Sequence, residues 1–204
     1  MYVTSTLRKP ISRAELQAHA DWFGLKIRLK RPLPDDEVGF VIEGTGIRLE
    51  IPERKGQLWH PGLAYRRIKH GVDALRKVLT IRPGDHVLDC TLGMGHDALA
   101  LLDAGAMVTA LEIQAPMVMY TMTGIVGYAP ELARNLHVRC CDYQTFLMTS
   151  LSNQFDHVYL DPMFPPTETE KSNVTWSLLR TFTPPERRLD EVTLEHALRV
   201  AKKK

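Results

Sequence analysis

Four short apolar runs between residues 86 and 161 each end at or just before a carboxylate, and this repetition limits the fold more than any other feature. They are His86-Val87-Leu88-Asp89, Met107 to Leu111 closed by Glu112, Leu136 to Cys140 with Asp142 just beyond, and His157 to Leu160 followed by Asp161. Between them lie segments of helical length: Asp97 to Asp103 with a stop at Gly105, Pro116 to about Val126, and Gln144 to Leu151. Strand and helix alternating at these lengths specify an α/β fold with a parallel, doubly wound sheet. Right-handed crossovers place every strand C-terminus on one edge, and ligands of such sheets bind along it. Four carboxylates are thereby predicted to share an edge that disfavours unpaired charge.

The first half has a different texture. Residues 12–23 read as a helix, with Ser12 as N-cap, Glu15 three positions on, and Gly24 as a stop. Val38 to Glu43 and Gly46 to Ile51 alternate apolar and polar side chains across Gly44-Thr45-Gly46, the pattern of a hairpin. Val72 to Leu79 reads as a helix and Arg82-Pro83-Gly84-Asp85 as a turn. The expected organisation is a small N-terminal α+β appendage over residues 1–58 and the α/β domain over residues 59–204. Positive charge is front-loaded: residues 1–80 hold 15 Lys and Arg against 9 Asp and Glu, and the remainder 11 against 15. That front-loaded positive charge permits a polyanionic partner without requiring one.

Several classes fall away. With 44% hydrophobic and 25% charged residues, wholesale disorder is excluded. The N-terminus lacks the apolar core of a secretory signal, and Ala115 to Pro130 is too short and too interrupted to span a bilayer. The expectation is a cytoplasmic protein with Cys90, Cys140 and Cys141 as reduced thiols. Neither C-x-x-C nor H-E-x-x-H spacing occurs, so no metal is expected.

The loop after Asp89 reads Thr91-Leu92-Gly93-Met94-Gly95-His96-Asp97 and opens a helix. Glycines there let the backbone approach a ligand, although a tight strand-to-helix turn would use the same residues. Glu112 lies 23 residues past Asp89, a spacing that suits a carboxylate accepting from ribose hydroxyls. A dinucleotide or triphosphate fits poorly. The third glycine of G-x-G-x-x-G is absent, no G-K-[ST] occurs, and no lysine lies between Lys77 and Lys171. Asp89 and Asp97 would repel a pyrophosphate and suit a positively charged cofactor, such as the sulfonium and amino group of S-adenosylmethionine.

Asp161-Pro162-Met163-Phe164, followed by two more prolines, is the sharpest local motif. Asp161 and the carbonyls around Pro162 can accept hydrogen bonds from an exocyclic amine, and Phe164 can stack on a flat base. Methyl transfer from a sulfonium to such a nitrogen is mainly a matter of proximity and alignment. A proline-rich exit turn is the plainer reading of the same residues.

Taken together, VLDCTLGMGHDAL, the Glu112 spacing, Cys141-Asp142-Tyr143 and YLDPMFPP resemble class I S-adenosylmethionine-dependent methyltransferases. Within them they resemble the branch that methylates guanine N2 of 16S ribosomal RNA, together with its unassigned bacterial relatives. The resemblance implies a Rossmann-like sheet with S-adenosylmethionine as cofactor. It implies donor contacts at Asp89, Thr91, Gly93, Gly95, His96, Asp97, Glu112, Ile113, Asp142 and Tyr143, and a catalytic group of Asp161, Pro162 and Phe164. His96 stands where the branch carries arginine. The segment His60 to Lys69 is similar to the branch's basic segment ahead of the first strand, so Arg66, Arg67 and Lys69 are expected to face RNA, with Trp59 and Tyr65 as neighbouring aromatics.

The resemblance also implies further strands beyond Val200, so the sheet edge reads as incomplete. A truncated chain and a homodimer that covers the edge are the two explanations. The functional expectation is an N-methyltransferase acting on guanine N2 of ribosomal RNA or the small subunit. The alternatives are a methyltransferase for a small-molecule or protein nitrogen, and a non-catalytic RNA-binding module on the same fold.

Overall fold

The computed structural model describes residues 2–5, 26–27, 39–43, 46–51, 54–70, 74–162 and 189–202. Its N-terminal sheet comprises β1 (Tyr2–Ser5), β2 (Lys26–Ile27), β3 (Gly39–Glu43), β4 (Gly46–Ile51) and β5 (Arg54–Leu58), in the order β2-β1-β3-β4-β5. The expected hairpin is β3 and β4, paired antiparallel. Its register sets Phe40 opposite Leu49 and Ile42 opposite Ile47.

Two helices follow, α1 (Gly62–His70) and α2 (Ala74–Leu79), and then the second sheet begins. In chain order it contains β6 (His86–Asp89), α3 (His96–Asp103), β7 (Met107–Glu112), α4 (Ala115–Tyr128), the single turn α5 (Pro130–Ala133), β8 (Leu136–Cys140), α6 (Tyr143–Thr149), β9 (His157–Tyr159) and α7 (Glu191–Val200). The strands lie in the order β8-β7-β6-β9, and all three pairings are parallel. The chain therefore leaves β6 in one direction through β7 to β8, then returns to add β9 on the other side. The reversal falls between β6 and β9, where a doubly wound sheet opens its ligand crevice.

Both faces of this sheet are covered, which explains its continuous apolar strands. Val87, Val108 and Ala110 point to one face, packed with Ala98, Leu99 and Leu101 of α3 and Ile125 of α4. Leu88 and Leu111 point to the other, against Leu147 of α6, Phe155, and Ala197 and Val200 of α7. Removing that much apolar side chain from water is worth roughly 1.5–3 kcal/mol per large residue. Helix α4 also packs on β4, so the N-terminal sheet is seated beside the second one.

Each strand and helix expected between residues 86 and 160 is present, with ends shifted by at most two residues. Other elements were not legible. The basic segment ahead of β6 is helix α1; β1, β2 and β5 carry no clear period, and α7, which buries Thr193, Ala197 and Val200 at helical spacing, was not expected. The helix expected over residues 12–23 lies outside the described residues, as does Phe164. Beyond α7, Ala201 forms an isolated parallel bridge with Phe155, two residues ahead of β9.

Candidate functional site

The C-terminal edge of the parallel sheet is where the sequence-predicted residues meet. Asp89, the last residue of β6, is 1% exposed, and its Oδ1 accepts the Thr91 backbone N–H at 3.0 Å. Thr91 turns its hydroxyl the other way, where Oγ1 accepts the Asp161 N–H at 2.9 Å. One threonine thus ties the end of β6 to the residue just past β9. The Cys90 N–H donating to Tyr159 O at 2.9 Å strengthens the same seam. Tyr159 in turn donates its hydroxyl to Asp97 Oδ2 at 3.1 Å, which holds the first turn of α3 against β9.

Glu112 closes β7 and is fastened by backbone donors. Its Oε2 accepts the Gly93 N–H at 3.1 Å and its Oε1 the Gln114 N–H at 2.9 Å. A carboxylate offers about four lone-pair positions, so these two bonds orient the group and leave acceptor capacity for a ligand. The glycine loop is gripped at successive carbonyls. Thr121 of α4, fully buried, donates to Gly93 O at 2.7 Å, and the Trp59 indole N–H donates to Met94 O at 2.9 Å.

The two glycines do different work. Both sit in the left-handed region, at φ +48° for Gly93 and +70° for Gly95. A Cβ on Gly93 would meet, of the described atoms, only Thr91 O at 3.9 Å, so its α-carbon faces open space. A Cβ on Gly95 would lie 2.6 Å from Thr121 Cγ2 and 2.7 Å from Ile125 Cδ1. Gly93 leaves a cradle. Gly95 lets α4 close on the loop, and as N-cap of α3 it supplies no capping side chain to compete for the first-turn N–H groups.

Electrostatics define what the cradle would hold. Burial pushes Asp89 up to about 7, and the negative charges of Asp97, Glu112 and Asp161 push in the same direction. Glu112 is raised mainly by burial, with backbone N–H groups pulling it back. Asp161 is raised by partial burial and by the charge of Asp97. Carboxylates that disfavour one another's ionisation gain from a cationic ligand. Among the described residues no group of three or more His, Cys, Asp or Glu is arranged to hold a metal ion.

Other predicted residues are placed elsewhere. His96 Nε2 is bonded to His60 O at 3.0 Å, so its ring joins α3 to the segment ahead of α1. Ile113 is 39% exposed, with its carbonyl accepting from Cys140 Sγ at 3.7 Å. Asp142 is the N-cap of α6, its Oδ1 accepting both Thr145 N–H and Thr145 Oγ1–H at 3.0 Å. Tyr143 packs toward the α6–α7 side of the core, where its hydroxyl is buried without a partner among the described residues. Pro162 is buried at the end of the seam. Arg66, Arg67 and Lys69 lie on α1, which packs on α3, and the Lys69 ammonium stands 5.6 Å over the exposed Tyr65 ring.

Trp59 packs on α4, its ring filling the place of a Gly124 side chain, where a Cβ would come within 2.1 Å. Thr121 and Tyr159 were missed. A polar residue within an otherwise apolar helix was the available signal for Thr121, though Thr123 shares it; Tyr159, inside an ordinary strand, offered none.

A glycine cradle at the switch point, with Asp89 and Glu112 ending β6 and β7 and Asp161 just past β9, defines a class I nucleoside-cofactor fold of the methyltransferase type. Residues 57–203 match the family described as "Putative SAM-dependent methyltransferase". The chain belongs to the SAM-dependent methyltransferase family. Among curated relatives, ribosomal RNA small subunit methyltransferase J of Neisseria gonorrhoeae is 34% identical over 153 residues, covering 69% of this chain and 58% of that protein. The protein of the same name from Cellvibrio japonicus is 28% identical over 195 residues, covering 81% and 71%. A crystal structure of a SAM-dependent methyltransferase from Neisseria gonorrhoeae superposes at a TM-score of 0.67 and 19% identity, covering 99% of this chain and 81% of that one, a likeness of fold.

The residues fit the cofactor that the family name states. Gly93 leaves backbone-sized space, Glu112 keeps acceptor capacity for two hydroxyl donors, and the acidic cluster matches a sulfonium and an ammonium group.

Proposed function

We propose that this chain is an N-methyltransferase acting on an exocyclic amine, with guanine N2 of small-subunit ribosomal RNA as the acceptor. The observation that carries the reading is the Thr91 bridge, which sets Asp161 beside the carboxylates and glycine loop of the donor site. The two curated relatives named for ribosomal RNA small subunit methylation supply the acceptor class. Bound S-adenosylmethionine would supply an electrophilic methyl group on a sulfonium.

What the chain contributes is binding and alignment. Glu112 would accept from the ribose hydroxyls, Gly93 would admit the cofactor close to the backbone, and Asp89 and Asp97 would face its cationic part. Asp142, at the end of the next strand, is assigned to the adenine side. His96, Ile113 and Tyr143 are assigned to the donor contacts by the family resemblance alone. Asp161 would accept an N–H of the target amine. Because its own N–H is held by Thr91, the main chain of Asp161 is fixed beside the donor loop. Little base strength is required, since alignment of an amine lone pair with the methyl carbon lowers the barrier by proximity. Phe164, two residues past Pro162, is assigned by the sequence to stacking on the base. Arg66, Arg67 and Lys69 would lie along phosphates, with residues 59–204 as the transferase unit and residues 1–58 as its appendage.

The test is transfer of labelled methyl to small-subunit RNA lacking the modification, alongside calorimetric titration with S-adenosylhomocysteine. Asp161→Ala should abolish transfer while donor affinity stays within about twofold. Equal loss of both would remove Asp161 from its assigned role. Acceptor binding that falls steeply with salt supports RNA, and salt-independent binding of a small molecule would replace it.

A further inference from the structure

Trp59 stands at a junction. It directly follows β5, the last strand of the N-terminal sheet, and precedes α1 by two residues. Its ring lies on Gly124 of α4 so closely that a Cβ there would sit 2.1 Å from Cγ and Cδ2. The rings of His96 and Tyr128 flank it, with centroids at 6.2 and 6.1 Å. Fixed in this seat, the indole directs its one N–H to Met94 O at 2.9 Å.

That single bond acts on the glycine loop. In a trans peptide the carbonyl and the following N–H point in opposite directions, so holding one oxygen aims the next amide. Thr121, on Gly93 O, aims the Met94 N–H away from α4. Trp59, on Met94 O, aims the Gly95 N–H inward to Leu92 O, a bond of 2.7 Å. The loop is thereby held from two sides while the Gly93 N–H stays on Glu112. A few residues on, His96 binds His60 O and its ring fills the space beside Gly62, so the same junction touches the loop twice.

We propose that Trp59 is a positioning residue for the methyl-donor site, acting through Met94 to set the glycine loop that would receive the cofactor. The proposal rests on reading that loop as the donor cradle. Packing alone does not require tryptophan, because a phenylalanine ring would cover Gly124 nearly as well. The N–H is the part that reaches the loop.

The experiment compares the full chain with Trp59→Phe, using S-adenosylhomocysteine as probe in calorimetry and amide hydrogen exchange of residues 90–98 without ligand. The expected result is about five- to tenfold weaker binding, the effect of losing one neutral hydrogen bond. Exchange at Gly93 and Gly95 should quicken by about the same factor, while the melting temperature moves by only about 4 °C or less. Unchanged affinity and unchanged exchange in the variant would overturn the proposal. If Trp59→Phe fails to fold, Gly124→Ala, which lifts the ring off its seat, must reproduce the faster loop exchange, and failure to do so overturns the proposal equally. A folded wild-type chain that binds no S-adenosylhomocysteine would overturn the donor reading, while the exchange comparison would still decide whether Trp59 holds the loop.

Discussion

Replacing each loop glycine with alanine should separate binding from stability at two positions only two residues apart. At Gly95 two costs combine. The left-handed conformation at φ +70° disfavours any side chain by about 1–2 kcal/mol. The new methyl would also stand 2.6 Å from Thr121 Cγ2 and 2.7 Å from Ile125 Cδ1, both on residues with no exposure, which adds about 1–3 kcal/mol of overpacking. The combined cost of about 2–5 kcal/mol predicts a melting temperature lower by roughly 4–20 °C for a chain of this size. Gly93→Ala carries only the conformational cost, since φ is +48° and the methyl meets no described atom closer than Thr91 O at 3.9 Å. Its melting temperature should fall by about 2–8 °C. Its methyl, however, enters the space assigned to the cofactor, and S-adenosylhomocysteine affinity should drop by at least about tenfold, or roughly 1.4 kcal/mol. Scanning calorimetry and isothermal titration on both variants decide the matter. Gly93→Ala binding as tightly as wild type would refute the cradle. Gly95→Ala melting with wild type would refute the packing argument.

Two further perturbations probe the acidic edge. Asp89, raised in the folded chain to about 7 from an ordinary value near 4, favours folding fully at low pH and loses that contribution as pH rises from about 4 through 7. Without ligand, Asp89→Asn should therefore gain melting temperature relative to wild type between pH 5 and pH 8.5, and a difference constant with pH would contradict the assigned burial. Tyr159→Phe removes the hydroxyl that donates to Asp97 Oδ2, a charge-assisted bond worth about 1.5–3 kcal/mol. Thermal denaturation several degrees below wild type is expected, together with weaker S-adenosylhomocysteine binding as the first turn of α3 loosens; unchanged melting would show that the bond holds nothing.

The parallel sheet was legible in the sequence because its signal is local. A strand covered on both faces must be apolar throughout, and a helix between two strands must supply one stripe and a stop, so residues 86–160 announced their elements. The acids at Asp89, Glu112 and Asp161 were legible for the same reason, since each ends an apolar run and charge is costly there. The N-terminal sheet was legible only at β3 and β4, where alternation and a glycine turn coincide. Strands β1 and β2 pair in parallel across more than 20 residues of sequence, and no short-range pattern encodes such a contact.

Tertiary structure alone decided how the site is held. Thr91 joins β6 to β9 across 70 residues, Tyr159 reaches Asp97 across 62, and Trp59 reaches Met94 across 35. It also decided which glycine faces open space and which faces a helix, a distinction that G-x-G cannot express. The chain by itself determined which chemical groups arrive at the sheet edge, because secondary-structure period and burial are written residue by residue. Their orientation depends on hydrogen bonds between segments brought together only by folding, and those follow from the packed arrangement of the sheet and its helices.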